Sequence, residues 1–306
     1  MAVATAANHP NYNGNQIPVV FSRKLLKKFY DACILAAISN TDYEGEIKKA
    51  GQEVKIRTVP NIAIKDYVKG QNLDFQLPNS DPISLTIDYG KYWAFVLDAV
   101  DAAQMDIDAV NSWSQDASEQ MKIAVESTVF STLYTFAHAK NKGATAGAKR
   151  AVYNLGTTGT PYAATKSNIL DLIADMGSVL DEQSVPETGR WLILPPFLSG
   201  MIKKSDLKDA SLTGDGTSVL RNGRLGMIDR FTIFGSNLQA QSVDNVTTCD
   251  EIVAGHPSAL TFASQITESD VVSNPYGFGK LYKGLQVYGW KVTKPEGLVH
   301  AHVSKG

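Results

Sequence analysis

The sequence predicts an α+β fold, and three observations carry that prediction. Apolar and polar residues alternate from Gln52 to Val59 and again from Ile83 to Leu97, the period of half-buried strands. One amphipathic stretch over roughly residues 104 to 139 has the spacing of a long helix. Beyond it, strand and helix patterns recur from Trp191 to Phe234, and strands follow to the end of the sequence.

Residues 1–20 are small, polar and rich in Asn, with Pro10 and Pro18, and read as an extended arm. Residues 22–39 read as a helix capped by Ser22, with Leu25, Leu26, Phe29, Ile34, Leu35 and Ile38 on its apolar face. Cys33 lies among Ala32, Ile34 and Leu35 and reads as a small buried hydrophobe. The strand that follows sets Val54, Ile56 and Thr58 against Glu53, Lys55 and Arg57. Its return carries Ile83, Leu85, Ile87 and Tyr89, then Tyr92, Trp93, Phe95 and Val96. A lone two-stranded hairpin is marginal in water, so this excursion over residues 51–97 has to lie on something else.

Between the two strands runs DYVKGQNLDFQLPNSDP, a loop long and polar enough to be functional in a compact domain. Within it Leu73, Phe75 and Leu77 alternate with Asp74 and Gln76, an apolar row with no core of its own. Burying three such side chains is worth about 5–9 kcal/mol before association costs. The candidate site is therefore a subunit interface, made by Val68, Leu73, Phe75 and Leu77 and covered by a neighbouring copy.

Asp98 and Asp101 lead into the long helix, and Asp106 and Asp108 open it, where negative charge suits the helix dipole. Its expected face is Met105, Val110, Trp113, Ala117, Met121, Ala124, Thr128 and Phe136. Such a spine would be about 54 Å long, close to the diameter of a compact globule of this size, which predicts a flat or elongated subunit. A Gly/Ala/Thr-rich connection over 141–165 includes a short strand around Val152, and a helix runs from Ser167 to Gln183 on Ile169, Leu170, Ile173, Met176 and Leu180. A buried strand from Trp191 to Leu194, a proline-initiated helix to Lys204 and a polar segment from Asp206 to Arg221 come next. Strands are then expected at Arg230 to Phe234, 250–266 and 281–303.

The 306 residues are 43% apolar and 20% charged with a net charge of -2, the composition of a soluble globular protein of one large domain or two ordinary ones. A basic excess that would hold nucleic acid through its phosphates is missing. The short clusters at Arg23, Lys24, Lys27 and Lys28, at Lys140, Lys142, Lys149 and Arg150, and at Lys203, Lys204 and Lys208 read as helix faces and ends. Cys33 and Cys249, the two cysteines, make neither a disulfide framework nor a zinc pattern. The longest apolar runs fall far below the roughly 18–20 residues of a membrane span. MAVATAANHPNYNGN lacks the pattern of a signal peptide, so a cytoplasmic product is expected.

The chemistry-bearing motifs are weak. GATAGAKR at 143–150 has the wrong glycine spacing for a phosphate loop and carries Arg150 where Ser or Thr would hold magnesium. His300 and His302 have the spacing of two metal ligands on one strand face, but no third ligand stands near in sequence, and polar surface is the plainer reading. His9, His138 and His256 stand alone, and no G-x-S-x-G marks a nucleophilic serine. The sequence assigns no catalytic residue, cofactor or metal site. A cryptic hydrolase using Ser or Asp of 206–221 is the enzyme alternative.

The order of these elements, and the segments DYEGEIKKAGQEVKIR at 42–57, GRWLILPPFLSGMIKKSD at 189–206 and GRLGMIDRFTIFGSNL at 223–238, resemble the major capsid (coat) proteins of tailed bacteriophages. The resemblance implies a fold with an N-terminal arm at 1–20, an extended β-loop at 51–97, a peripheral domain at 21–50, 98–150 and 255–306 carrying the spine helix, and an axial domain at 151–254. It implies a structural, non-enzymatic subunit whose pentamers and hexamers close into an icosahedral shell around double-stranded DNA without reading its sequence. Scaffolding, portal and cement proteins are the other implied partners, with no membrane, and the location is the virion capsid after assembly in the host cytoplasm. Some relatives crosslink through Lys and Asn on the loop; Lys69 and Asn72 lie at this tip, but Asn72 is not where such a partner is expected, and no crosslink is assigned. An encapsulin-like cargo compartment of the same fold is the alternative.

Overall fold

The computed structural model describes residues 33–42, 53–60, 62–105, 109–205 and 226–306, leaving aside the side chains of 109 and 265–267. The expected N-terminal arm, Asp106, Asp108, the basic cluster at 23–28 and the polar segment 206–221 lie outside them. The elements begin with α1 (Leu35–Ile38), β1 (Glu53–Ile56), β2 (Ile83–Thr86), β3 (Tyr89–Asp98), α2 (Ala99–Gln104) and α3 (Ala109–Leu133). Then come β4 (Tyr162–Ala164), α4 (Ile169–Glu182), β5 (Arg190–Leu194), α5 (Pro196–Lys204), β6 (Met227–Ile228) and β7 (Phe231–Gly235). The last are β8 (Gln241–Asp244), β9 (Thr247–Gly255), β10 (Leu260–Ser273), β11 (Gly279–Val292) and β12 (Leu298–Lys305).

A seven-stranded mixed sheet forms the centre, in the order β4-β12-β9-β5-β7-β6 with β8 on β9. Its β5 strand, RWLIL, is buried at every position. The alternation of a strand is present but hidden, because both faces are covered and both need apolar residues. Leu192 and Leu194 enter a core with Ile252, Ala254, Val299, Ala301 and the inner faces of α4 and α5. Trp191 and Ile193 enter a second core with Val253, Leu298 and residues of α1, α3, β10 and β11. β12 lies between β4 and β9, so residues 298–305 belong to the same sheet as strands of the 151–254 segment.

The spine is shorter than its pattern suggests. Asp98 caps α2 by accepting from the Val100 N–H at 2.8 Å, and that helix ends at Met105, whose ψ of 134° is extended. The 25 residues of α3 make about 37 Å of helix. Its buried face is Val125, Val129, Phe130 and Leu133, not the expected row, whose members stay half-buried or exposed. The reason is placement: only the C-terminal part of α3 lies over the sheet, and those four side chains contribute about 6–12 kcal/mol at most.

The helix expected over 22–39 is helical, within the described residues, only from Leu35 to Ile38. The Glu126 carboxylate of α3 accepts from the Ile34 and Leu35 N–H groups at 2.7 and 3.0 Å and so caps the start of this turn. Cys33, just before that turn, is exposed rather than buried. The return strand expected over 83–97 is likewise two strands: β2 pairs with β1, and β3 joins β11 and β10 in a three-stranded sheet. The chain crosses between them against Gly289, where a Cβ would stand 2.2 Å from the Thr86 carbonyl oxygen. The short strand expected near Val152 is one bridge between Ala146 and Tyr153. The 143–150 segment is a loop, held by Glu182, which accepts from the N–H groups of Lys149 and Arg150.

Arg190 is fully buried at the head of β5. It donates to the carbonyls of Pro186, Gly177 and Val185 and to Asp181 at 2.7 Å. Burial would raise the Asp181 carboxyl, but hydrogen bonds and charge from Arg190 and Arg230 outweigh it and hold it below its ordinary value. Removing this fork leaves carbonyls unpaired, so Arg190→Met is expected to cost about 2–3 kcal/mol in denaturant unfolding of the unassembled subunit. Arg190→Lys should recover only part of it, because an ammonium cannot match the planar fork; a Lys variant as stable as the parent would contradict this account.

Glu126 makes a second, pH-dependent prediction. Burial raises its pKa above 4.5, and the two backbone N–H groups offset this only in part. An acid with a raised folded pKa destabilises when ionised, so the parent should gain stability relative to Glu126→Gln as pH falls from 7 toward 4.5. Melting curves of both proteins across that window test the sign.

Candidate subunit interface

The arm is rooted in the β1–β2 ladder, where Glu53 faces Thr86 and Ile56 faces Ile83. Val54, Ile56, Leu85 and Ile87 join Ala263 and Val287 in a small core that fixes this root to the body. Beyond Ile56 the described residues of the two legs make no strand pairs, and Pro60, Pro78 and Pro82 each lack a donor for a ladder. Side chains hold the legs together instead. The Thr58 hydroxyl donates to the Asp81 carbonyl at 2.8 Å, and the Ser80 hydroxyl donates back to the Thr58 carbonyl. Farther out, the Ala63 N–H donates to Gln76 Oε1 at 3.1 Å and Lys65 pairs with Asp74.

At the tip the Gln71 N–H donates to the Val68 carbonyl at 3.1 Å, and Gly70 has φ +89°, the geometry that a type II turn asks of its third residue. The leg from Arg57 to Lys69 reaches at most about 45 Å. The four residues expected at an interface are all on this arm and all exposed: Val68 64%, Leu73 65%, Phe75 87% and Leu77 97%. The outgoing leg adds Val59, Ile62, Ile64 and Tyr67, also exposed, which the sequence reading passed over. Their signal was the alternation of Ile62 and Ile64 with Ala63 and Lys65.

The three-stranded sheet has one face covered and one open. On the covered face Phe95 stacks on Trp93 and Tyr282, with centroids 5.5 and 5.1 Å away, and meets the edge of Trp113 from α3 at 5.6 Å. The open face carries Tyr92 beside Leu285, and Val96 beside Leu281 and Val272. Between these apolar pairs, Lys283 bridges to Asp270 at 3.4 Å.

The histidines expected on a polar surface are enclosed. His302 is buried and His300 nearly so, because β12 lies inside the central sheet. Both meet Glu251 of β9, His300 Nε2 at 2.6 Å and His302 Nδ1 at 3.0 Å, and the Ser242 hydroxyl donates to the same carboxylate at 2.6 Å. Burial would raise the Glu251 pKa, but these hydrogen bonds and the charge of His300 bring it to about 2. A cavity of about 360 Å³ opens above the group, with Tyr134 and Lys142 on its wall. The sequence pointed only to the His300 and His302 pair on one strand, since Ser242, Asp244 and Glu251 come from two other strands.

Among the described residues no helix is long and apolar enough to cross a membrane. No curated protein matches the chain. Solved structures do resemble it. One from Mycobacterium phage Che8 is 25% identical with a TM-score of 0.78, over 95% of this chain and 98% of that one. The capsid of cyanophage P-SCSP1u superposes with a TM-score of 0.72 at 12% identity, over 95% and 94% of the two chains. The mature capsid of bacteriophage PhiM1 does so with 0.61 at 17% identity, over 94% and 91%. The family model described as phage capsid protein matches residues 84–301, which include β3, α3 and most of the central sheet. The chain belongs to the phage capsid protein family.

Proposed function

We propose that this chain is the major capsid subunit of a tailed phage, and that its copies join as pentamers and hexamers in an icosahedral shell around double-stranded DNA. The observation that carries this reading is the arm. It exposes a run of large apolar side chains on two legs that its own fold leaves uncovered, and an exposed apolar surface of this kind marks an interaction site. We assign Val68, Leu73, Phe75 and Leu77 to contact with a neighbouring copy. The domain division expected from the resemblance is part of this proposal, except that β12, which that division put in the peripheral domain, shares the central sheet with β4, β5, β7 and β9.

The net charge of -2 suits a wall that contains DNA and does not read it. Scaffolding, portal and cement proteins are the further partners of this reading, and assembly takes place in the host cytoplasm. The role is structural rather than catalytic, and its place is the virion capsid. The family match to phage capsids favours a virion over a cargo compartment of the same fold.

Negative-stain microscopy of the expressed chain is expected to show uniform closed shells. Deleting residues 66–82 should leave a folded, soluble subunit that forms none; regular shells from the deletion would refute the role of the arm. A milder variant, Leu73→Ser with Phe75→Ser and Leu77→Ser, should melt within about 0.5 kcal/mol of the parent, since exposed positions contribute little to the isolated fold. Sedimentation of the same variant should show subunits only.

A further inference from the structure

We propose that Asp244, Cys249 and His302 form a binding site for Zn²⁺, a role independent of the arm. The three residues come from β8, β9 and β12 and are all buried. One carboxylate oxygen, the Cys Sγ and one imidazole nitrogen lie within 4.8 Å of one another. The pairing of the strands explains the convergence: Ser242 faces Cys249 across β8 and β9, and Ser304 faces Cys249 across β12.

The orientation of His302 is the decisive feature. Its Nδ1 is 3.0 Å from Glu251 Oε1, a carboxylate also held by Ser242 and by His300. A carboxylate at Nδ1 is the outer-shell partner that orients metal-ligating histidines and leaves Nε2 for the ion. Nε2 faces Asp244 Oδ2 at 3.4 Å. The distance is long for an N–H···O hydrogen bond. With metal–ligand bonds of 2.0–2.1 Å, two ligand atoms of a tetrahedral zinc are about 3.3 Å apart, so the Nε2–Oδ2 separation matches two ligands of one ion.

The ligand chemistry selects the ion. One thiolate, one imidazole and one carboxylate suit borderline-soft Zn²⁺, whereas Mg²⁺ and Ca²⁺ take oxygen ligands. Asp244 and His302 line the 360 Å³ cavity, which supplies a route of entry and room for water as a fourth ligand. The Gly159 N–H already donates to Asp244, so the bound ion would tie the 142–159 loop, β8 and β12 into one unit. His300, which the sequence pairs with His302, is engaged by Glu251 and is not a ligand.

The test uses the full chain with Cys33→Ser, so that Cys249 is its one thiol, stripped with a chelator and titrated with Zn²⁺ and with Co²⁺. One ion per chain is expected, with a thiolate-to-cobalt charge-transfer band and strong tetrahedral d–d absorption. Zn²⁺ should raise the melting temperature progressively, with the logarithm of its concentration above Kd. Cys249→Ser should abolish the charge-transfer band, and His302→Gln and Glu251→Gln should each weaken binding by about 10–100-fold. Absence of stoichiometric binding overturns the proposal, as does Co²⁺ uptake without the charge-transfer band, a result that requires no ligand variant to fold. Undiminished Zn²⁺ affinity in folded Cys249→Ser and His302→Gln also overturns it.

Discussion

Trp191 and Ile193 point from β5 into one core while Leu192 and Leu194 point into the other, so this strand is stable only with a layer on each side. The rest of the subunit is arranged around that requirement. α4 and α5 close one face, and the C-terminal part of α3 with β10 and β11 closes the other. Arg190 heads the strand, and Asp181 and three carbonyls accept from it, as a buried guanidinium needs. Two cores on one sheet also set the arm apart. Its root belongs to a third, much smaller cluster, so its length is available for contacts outside the subunit.

Much of this was legible in the sequence where a single local rule decided the outcome. The run Trp191 to Leu194 followed by Pro195 and Pro196 reads as strand then helix, and it is. The α4 face and the hairpin root were equally plain, because period and burial agree there. The long helix was overread, since the pattern from Met105 to Phe136 is compatible with helix throughout but cannot show where the sheet stops supporting it. Ile34 and Leu35 fit a helix by spacing, yet the group that caps their N–H groups, Glu126, lies 91 or more residues away.

The candidate interface was partly legible for a similar reason. Leu73, Phe75 and Leu77 stand out because they alternate with polar residues in a loop, while Ile62 and Ile64 sit beside a strand pattern and look like its continuation. Of the polar group around Glu251 only the His300 and His302 pair was legible, as two residues on one strand face. Its members are spread from Ser242 to His302, and only the pairing of β8, β9 and β12 brings them together. A sequence pattern reports neighbours along the chain; a sheet makes neighbours of residues that no spacing connects.

The place of β12 has a consequence for when the subunit comes into being. Among the described residues Tyr162 and its strand pair with Val303 and its neighbours alone, and β9 gains its longest ladder from the same strand. On the ribosome, β4 therefore waits for nearly half of the chain to follow it before it can pair. Closure depends on contacts of high sequence separation, the kind that form slowly and last. The arm emerges well before the body that presents it is closed, and its root core waits for Ala263 and Val287. Synthesis itself thus separates the emergence of the adhesive part from the completion of its scaffold, and a nascent chain exposes its apolar arm before it has a finished body to dock.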